Sequence, residues 1–262
     1  MIGVFDSGLG GLSVLAAIAR ELPSADLVYV ADTAHVPYGE KDDAFIRSRA
    51  LRIGKYLREE RGCELIVVAC NTATAAAVAV VRDAFPDLPV VGVEPGVKPA
   101  AAASRSGHIA VLATASTARS PRLAQLIKQH AQAVQVAIRA CPGWATRVEA
   151  LHLDDPEFVK EARRQIIPLL AMGIDQIVLG CTHYTFLRPT LESIVAEQAA
   201  LVDVADAVAR QCVRLAGLSA YGQGRLTLLA TACPAKLQAA LPALGLGWLS
   251  RRLRDAANLA RA

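Results

Sequence analysis

Hydrophobic positions along this chain fall into two alternating textures. Short aliphatic and β-branched runs, such as Ile2-Gly3-Val4-Phe5 and Ile66-Val67-Val68, are separated by longer Ala-, Leu- and Arg-rich stretches in which apolar residues recur at helical spacing. The runs predict strands over 2–5, 27–31, 65–69, 90–93, 109–113, 134–138, 176–180 and 200–203. Between them the spacing predicts helices over 11–22, 43–60, 73–85, 117–130, 157–171 and 187–198. Such alternation predicts an α/β protein with mainly parallel sheets covered on both faces.

A weak internal repeat organises these elements. Ile66-Val67-Val68-Ala69-Cys70-Asn71-Thr72 and Ile177-Val178-Leu179-Gly180-Cys181-Thr182-His183 share one order: strand, small residue, cysteine, polar pair, helix. Earlier in each half, Ile2–Phe5 followed by Asp6-Ser7 parallels Ile109–Ala113 followed by Thr114. The pattern predicts two similar, pseudo-twofold related lobes: residues 1–95 with 207–262, and residues 96–206. Ligands of open α/β sheets bind beyond the carboxyl ends of the strands. Two such edges facing each other would form a cleft with one cysteine on each wall.

Composition narrows the class. With 262 residues, 53% hydrophobic and 20% charged, the chain can build a packed core. The net charge of +4 is modest, and the tightest basic group, Arg251, Arg252 and Arg254, has no interleaved aromatics. It reads as a solvated helix face, so no nucleic-acid partner is expected. No apolar run reaches the roughly 18 residues of a membrane span. The N-terminus also lacks the layout of a signal peptide, so a cytoplasmic protein is expected. Six cysteines stand at 63, 70, 141, 181, 212 and 233, without C-x-x-C pairs or zinc-site spacing, which predicts neither a disulfide framework nor a metal site.

The candidate chemistry gathers at strand ends. Removing a proton from one face of a carbon and returning one to the other requires two acid–base groups on opposite sides. Cys70 and Cys181 suit this, since a thiol ahead of a helix N-terminus ionises more readily. A lone cysteine is more often a buried apolar residue, but the matched contexts of these two argue against that, and the other four cysteines lack the context. Asp6-Ser7-Gly8-Leu9-Gly10-Gly11 could be read as a dinucleotide turn with Asp32 as its ribose acid. Ser13, however, stands at the third glycine position, and Asp6 would meet the pyrophosphate. A tight turn offering Asp6 and Ser7 to a small polar ligand fits better, with a helix cap as the plainer alternative for Asp6. Asn71, Thr72, Thr182 and His183 supply side-chain donors at two helix starts, although capping alone would also explain the threonines. The segment from Asp32 to Gly39 reads as an irregular binding loop or as plain turn chemistry.

Taken together, these residues resemble the glutamate racemases. The likeness rests on Val4-Phe5-Asp6-Ser7-Gly8 with Gly10-Gly11-Leu12, Asp32-Thr33-Ala34 with Pro37-Tyr38-Gly39, and Ala69-Cys70-Asn71-Thr72-Ala73. It continues through Gly92-Val93-Glu94-Pro95, Thr114 with Thr117 and Ser120, Cys141-Pro142 with Val148-Glu149, and Gly180-Cys181-Thr182-His183-Tyr184. The resemblance implies cofactor-independent interconversion of L- and D-glutamate, supplying D-glutamate for peptidoglycan. It implies Cys70 and Cys181 as the acid–base pair, Cys70 serving the D- and Cys181 the L-enantiomer, with Asp6, His183 and Glu149 assisting. Ser7, Tyr38, Gly39, Asn71, Thr72, Thr114, Thr117, Thr182 and His183, with Asp6, would line the substrate pocket. Glutamate is then the expected partner, and pairing as a homodimer is left open. Thr185, Leu123, Ala113 and Cys233-Pro234 depart from the usual pattern without touching a proposed catalytic residue. Three other readings stand beside this one: an aspartate racemase or related two-cysteine isomerase, a non-catalytic binder of a small acidic metabolite, and a nicotinamide-dependent dehydrogenase.

Overall fold

All eight predicted runs form strands: β1 (Ile2–Asp6), β2 (Leu27–Ala31), β3 (Leu65–Val68), β4 (Val90–Gly92), β5 (His108–Ala113), β6 (Gln135–Ala140), β7 (Gln176–Leu179) and β8 (Ala200–Val202). Two more follow, β9 (Leu226–Ala230) and β10 (Leu253–Asn258). The structure is a computed structural model and describes residues 1–258. The last four residues of the expected first lobe lie outside the described residues.

The strands make a six-stranded sheet, β10-β9-β2-β1-β3-β4, and a four-stranded sheet, β6-β5-β7-β8, with every pairing parallel. The order β2-β1-β3-β4 in the first repeats as β6-β5-β7-β8 in the second, which is the internal repeat in structural form. Register brings the chemistry to one edge of each sheet. Asp6 pairs with Ala31 and Phe5 with Val68, so Ser7, Asp32 and Cys70 leave their strands side by side. In the second sheet Ala113 pairs with Ala140 and Leu112 with Leu179, which aligns Thr114, Cys141 and Cys181.

Strand alternation divides the core. Ile2, Val4, Leu65 and Val67 pack with the helices Leu12–Glu21 and Ala205–Leu215. Phe5, Ile66 and Val68 face the helices Asp43–Lys55 and Asn71–Ala84. The first of these clusters continues into Leu112, Trp144, Phe158 and Leu179, so one apolar core runs through both sheets.

Three details differ from the sequence expectations. The helix predicted over 117–130 breaks into Ala115–Arg119 and Pro121–His130, because Pro121 cannot continue a helix and Ser120 caps the second piece through the Leu123 amide. The pattern predicts neither β9 nor β10: Leu226–Ala230 merges into an Ala/Leu-rich background, and β10 is an edge strand with no apolar run. The basic cluster is not a solvated helix face. Arg251 and Arg252 lie in a 3-10 turn, and Arg252 donates to the carbonyls of Ala19, Ala25 and Gly224, tying the start of β10 to the first sheet. Among the described residues no helix is long and apolar enough to cross a membrane.

Phe158 is fully buried, with its ring edge-on to Trp144 at 5.2 Å, and Trp144 opens the short helix that ends at Glu149. Phe158→Ala is expected to cost about 3–5 kcal/mol, read as a lowered urea midpoint.

Candidate active site

The strand-end residues of both sheets meet in one buried cluster. Asp6, Ser7, Cys70, Asn71, Thr72, Thr117, Glu149, Cys181, Thr182 and His183 are all buried, with Thr114 at its margin. Burial of so many polar groups requires partners, and several of these partners lie across the boundary between the sheets. The Thr182 hydroxyl donates to Asp6 Oδ2 at 3.0 Å. The Leu9 amide donates to Glu149 Oε1 at 2.6 Å. The hydroxyls of Thr72, Thr114 and Thr117 lie 3.0–3.3 Å from one another.

Each cysteine heads its own chain of polar contacts. Cys70 caps the helix Asn71–Ala84, its Sγ taking the Ala73 amide at 3.4 Å and lying 4.0 Å from the Ser7 hydroxyl. Ser7 donates in turn to Asp6 Oδ1 at 3.1 Å, which also accepts the Gly8 amide at 2.8 Å. Cys181 precedes the 3-10 turn Thr182–Leu187 and places Sγ 3.7 Å from His183 Nδ1. His183 Nε2 lies 2.7 Å from Glu149 Oε1.

Charge is distributed unevenly over these chains. Burial pushes the Cys70 thiol well above its ordinary range, and the Asp6 carboxylate adds to this; the Ala73 amide acts the other way and loses. The helix start therefore does not make Cys70 an acidic thiol, contrary to the sequence argument. Burial also raises Asp6, against the opposing pull of the His183 charge and the Gly8 and Thr182 hydrogen bonds. For His183, burial disfavours the imidazolium, but Cys181 and Glu149 together outweigh it and hold the ring well above its ordinary value. Glu149 is the mirror case: burial opposes its charge, and His183 with the Leu9 amide still lowers it.

This geometry explains the glycines. A Cβ on Gly8 would stand 2.0 Å from Glu149 Oε1, and one on Gly10 would stand 2.3 Å from His183 Nδ1. The turn is glycine-rich because a carboxylate and an imidazole press against its backbone. That overturns the dinucleotide reading, and so does Asp32, whose carboxylate is committed to Arg49, Tyr38 and Thr231. The capping alternatives fail as well. Gly11 stands at the cap of the first helix, Cys70 itself caps the helix after it, and Thr72 and Thr182 bond to the opposite lobe.

The sequence profile of the Asp/Glu/Hydantoin racemase family matches residues 2–212. Glutamate racemases of Pseudomonas aeruginosa and Pseudomonas entomophila are 47% and 49% identical to the chain, in each case over 93% of both proteins. The chain belongs to this racemase family. Among solved structures, Escherichia coli glutamate racemase in complex with L-glutamate and the activator UDP-MurNAc-ala superposes with a TM-score of 0.85 at 34% identity, covering 98% of this chain and 97% of that one.

Within this racemase fold, the residues singled out from sequence lie together, with one qualification. The Tyr38 hydroxyl donates its proton to Asp32 at 2.5 Å, so that proton is not offered to a ligand. Gly39 packs so closely on the second lobe that a Cβ would come within 2.8 Å of the Thr114 Cβ. A small cavity of about 50 Å³ adjoins this contact, lined by Pro37, Gly39, Thr114, Cys141, Pro142 and Tyr184 among others. Sequence reasoning missed Tyr29, whose buried hydroxyl donates to the Gly8 carbonyl at 2.6 Å, and the Arg49–Asp32 pair. Neither carries a motif; a polar residue inside an apolar strand was the available signal for Tyr29.

The His183–Glu149 pair sets a pH window. Its contribution is complete between the ordinary values of 4.5 for glutamate and 6.5 for histidine. It fades as pH falls through the depressed Glu149 value and as pH rises through the raised His183 value. Glu149→Gln should therefore lower the melting temperature most between those limits and least at either extreme. NMR titration should show the His183 pKa falling in the same variant.

Proposed function

We propose that this chain interconverts L- and D-glutamate by two-base catalysis, with Cys70 and Cys181 on opposite faces of the α-carbon. The observation that carries the reading is the pair of relays, Cys70–Ser7–Asp6 and Cys181–His183–Glu149, that meet from two sheet edges in one buried cluster. One cysteine, as thiolate, takes the α-proton; the other, as thiol, delivers its proton to the opposite face of the resulting carbanion. The enzyme is left with the protonation of its two thiols exchanged. His183 is placed to accept and return the Cys181 proton, and Asp6 acts on Cys70 through Ser7. Cys70 would serve D-glutamate and Cys181 L-glutamate.

Substrate binding falls to the remaining polar groups. The hydroxyls of Thr72, Thr114 and Thr117 suit a carboxylate, and the buried Asn71 Oδ1, which has no hydrogen-bond partner among the described residues, suits an ammonium. Glutamate is favoured over aspartate because relatives at 47–49% identity carry the glutamate racemase name. The reading places the enzyme in the cytoplasm, making D-glutamate for peptidoglycan without added cofactor. The two lobes, 1–95 with 207–262 and 96–206, are proposed as the bodies that close on substrate, consistent with β9 and β10 extending the first sheet.

The decisive test is isotopic. In heavy water each enantiomer should give product carrying solvent deuterium from the first turnover, while recovered substrate stays protiated early on. Product retaining the original hydrogen would refute the two-base scheme. Cys70→Ser and Cys181→Ser should each abolish racemisation followed by circular dichroism, because serine is a far weaker acid than a thiol. Near-normal racemisation by either variant would assign the chemistry elsewhere. Asp6→Asn and His183→Asn should lower turnover by about 10²–10⁴-fold, more than they raise KM.

A further inference from the structure

Asp32 is fully buried at the end of β2, and its carboxylate is saturated by four hydrogen bonds. Arg49, itself buried, grips it in a fork: Nε donates to Oδ2 at 2.9 Å and Nη2 to Oδ1 at 3.0 Å. The Tyr38 hydroxyl donates to Oδ2 at 2.5 Å and the Thr231 hydroxyl to Oδ1 at 2.8 Å. A carboxylate offers about four acceptor positions, and all are filled. The four residues come from separate places in the chain: the end of β2, the Pro37–Gly39 segment, the helix Asp43–Lys55, and the turn after β9.

The cluster bears directly on the site wall. Tyr38 is buried, burial and the Asp32 charge hold its phenol protonated as a donor, and the Cys70 thiol lies within its electrostatic reach. Its neighbour Gly39 packs against Thr114 of the opposite lobe. The Pro37–Gly39 segment is thus fixed between Asp32 on one side and Thr114 on the other. The turn after β9 laces the same loop a second time: the Ala34 amide donates to Thr231 Oγ1 at 3.0 Å and the Ala232 amide to Thr33 Oγ1 at 2.9 Å.

We propose that Arg49, with Thr231 in support, is a positioning residue for the reaction: its forked hold on Asp32 fixes Tyr38, and so fixes the Pro37–Gly39 wall of the substrate site beside Cys70. This rests on the racemase reading of the site. Arg49 touches no reacting atom. Its planar fork satisfies two carboxylate oxygens at once, which a lysine ammonium does not do with the same geometry. Removing it leaves a buried carboxylate short of two donors, the costly case for a polar cluster. The loop must then shift to let water or another donor in.

The test separates binding from turnover in purified full-length protein, with the folded fraction measured by thermal melt. Arg49→Met should raise KM for both glutamate enantiomers about tenfold while kcat per folded enzyme stays within about threefold. Arg49→Lys should fall between wild type and Arg49→Met, and Thr231→Val should raise KM a few-fold. Adding Asp32→Asn to Arg49→Met removes the uncompensated charge and should recover most of the KM loss. A role confined to stability predicts instead a lower melting temperature with unchanged KM. That result in folded Arg49→Lys or Thr231→Val overturns the proposal, and these two milder variants decide the matter if Arg49→Met does not fold. Absence of racemisation by the wild-type protein would refute the underlying reading; normal wild-type racemisation with an unmoved KM in the variants would refute this inference alone.

Discussion

A carboxylate carried by one lobe and buried against the backbone of the other governs this site. Glu149 ends a short helix of the second lobe, yet its Oε1 accepts the Leu9 amide of the first lobe while facing the His183 ring. A buried charge is tolerable only when paired and hydrogen-bonded; His183 supplies one partner from the same lobe, and the lobes must approach for the Leu9 amide to supply the other. That approach dictates Gly8 and Gly10, where any side chain would collide with Glu149 or His183. It also fixes the orientation of the His183 ring in front of Cys181. The closeness of the lobes, the composition of the first turn and the orientation of one acid–base group therefore follow from a single contact.

The buried polar bonds between the lobes reinforce it. Thr182 reaches Asp6, and Thr72 reaches Thr114 and Thr117, so each sheet edge satisfies donors and acceptors of the other. Removing either edge would leave several of these groups buried without partners. On the proposed reading, substrate carboxylate and ammonium groups take over some of these bonds, which lets binding and lobe closure share one set of donors and acceptors.

Much of this was legible in the sequence because strand-end chemistry is local. A strand, a small residue, a cysteine and a polar pair occur twice, and parallel register brings both copies to a sheet edge. The eight apolar runs were readable for the same reason. What escaped was non-local. β9 owes its place to pairing with β2, β10 to pairing with β9 and to the Arg252 hydrogen bonds, and nothing in Leu253–Asn258 announces a strand. Arg49 is one arginine among several on a polar helix, and only the fold shows that it turns inward to Asp32. The acidity argument for Cys70 failed for a related reason: a helix N-terminus is visible in sequence, whereas full burial beside Asp6 is not, and burial is the larger effect.

The two relays are unlike, and this has a thermodynamic consequence for a racemase. Cys70 communicates with a carboxyl through a hydroxyl, whereas Cys181 faces an imidazole backed by a carboxylate. The enantiomers of glutamate have equal free energy in water, so kcat/KM must be the same in both directions whatever the asymmetry of the site. Unequal relays can therefore appear only in how each direction divides kcat/KM between binding and turnover. Asp6 lies in the field of the second relay as well, since the His183 and Glu149 charges both act on its carboxyl. The asymmetry is thus held within one site, where charge on Cys181 bears on the Cys70 thiol.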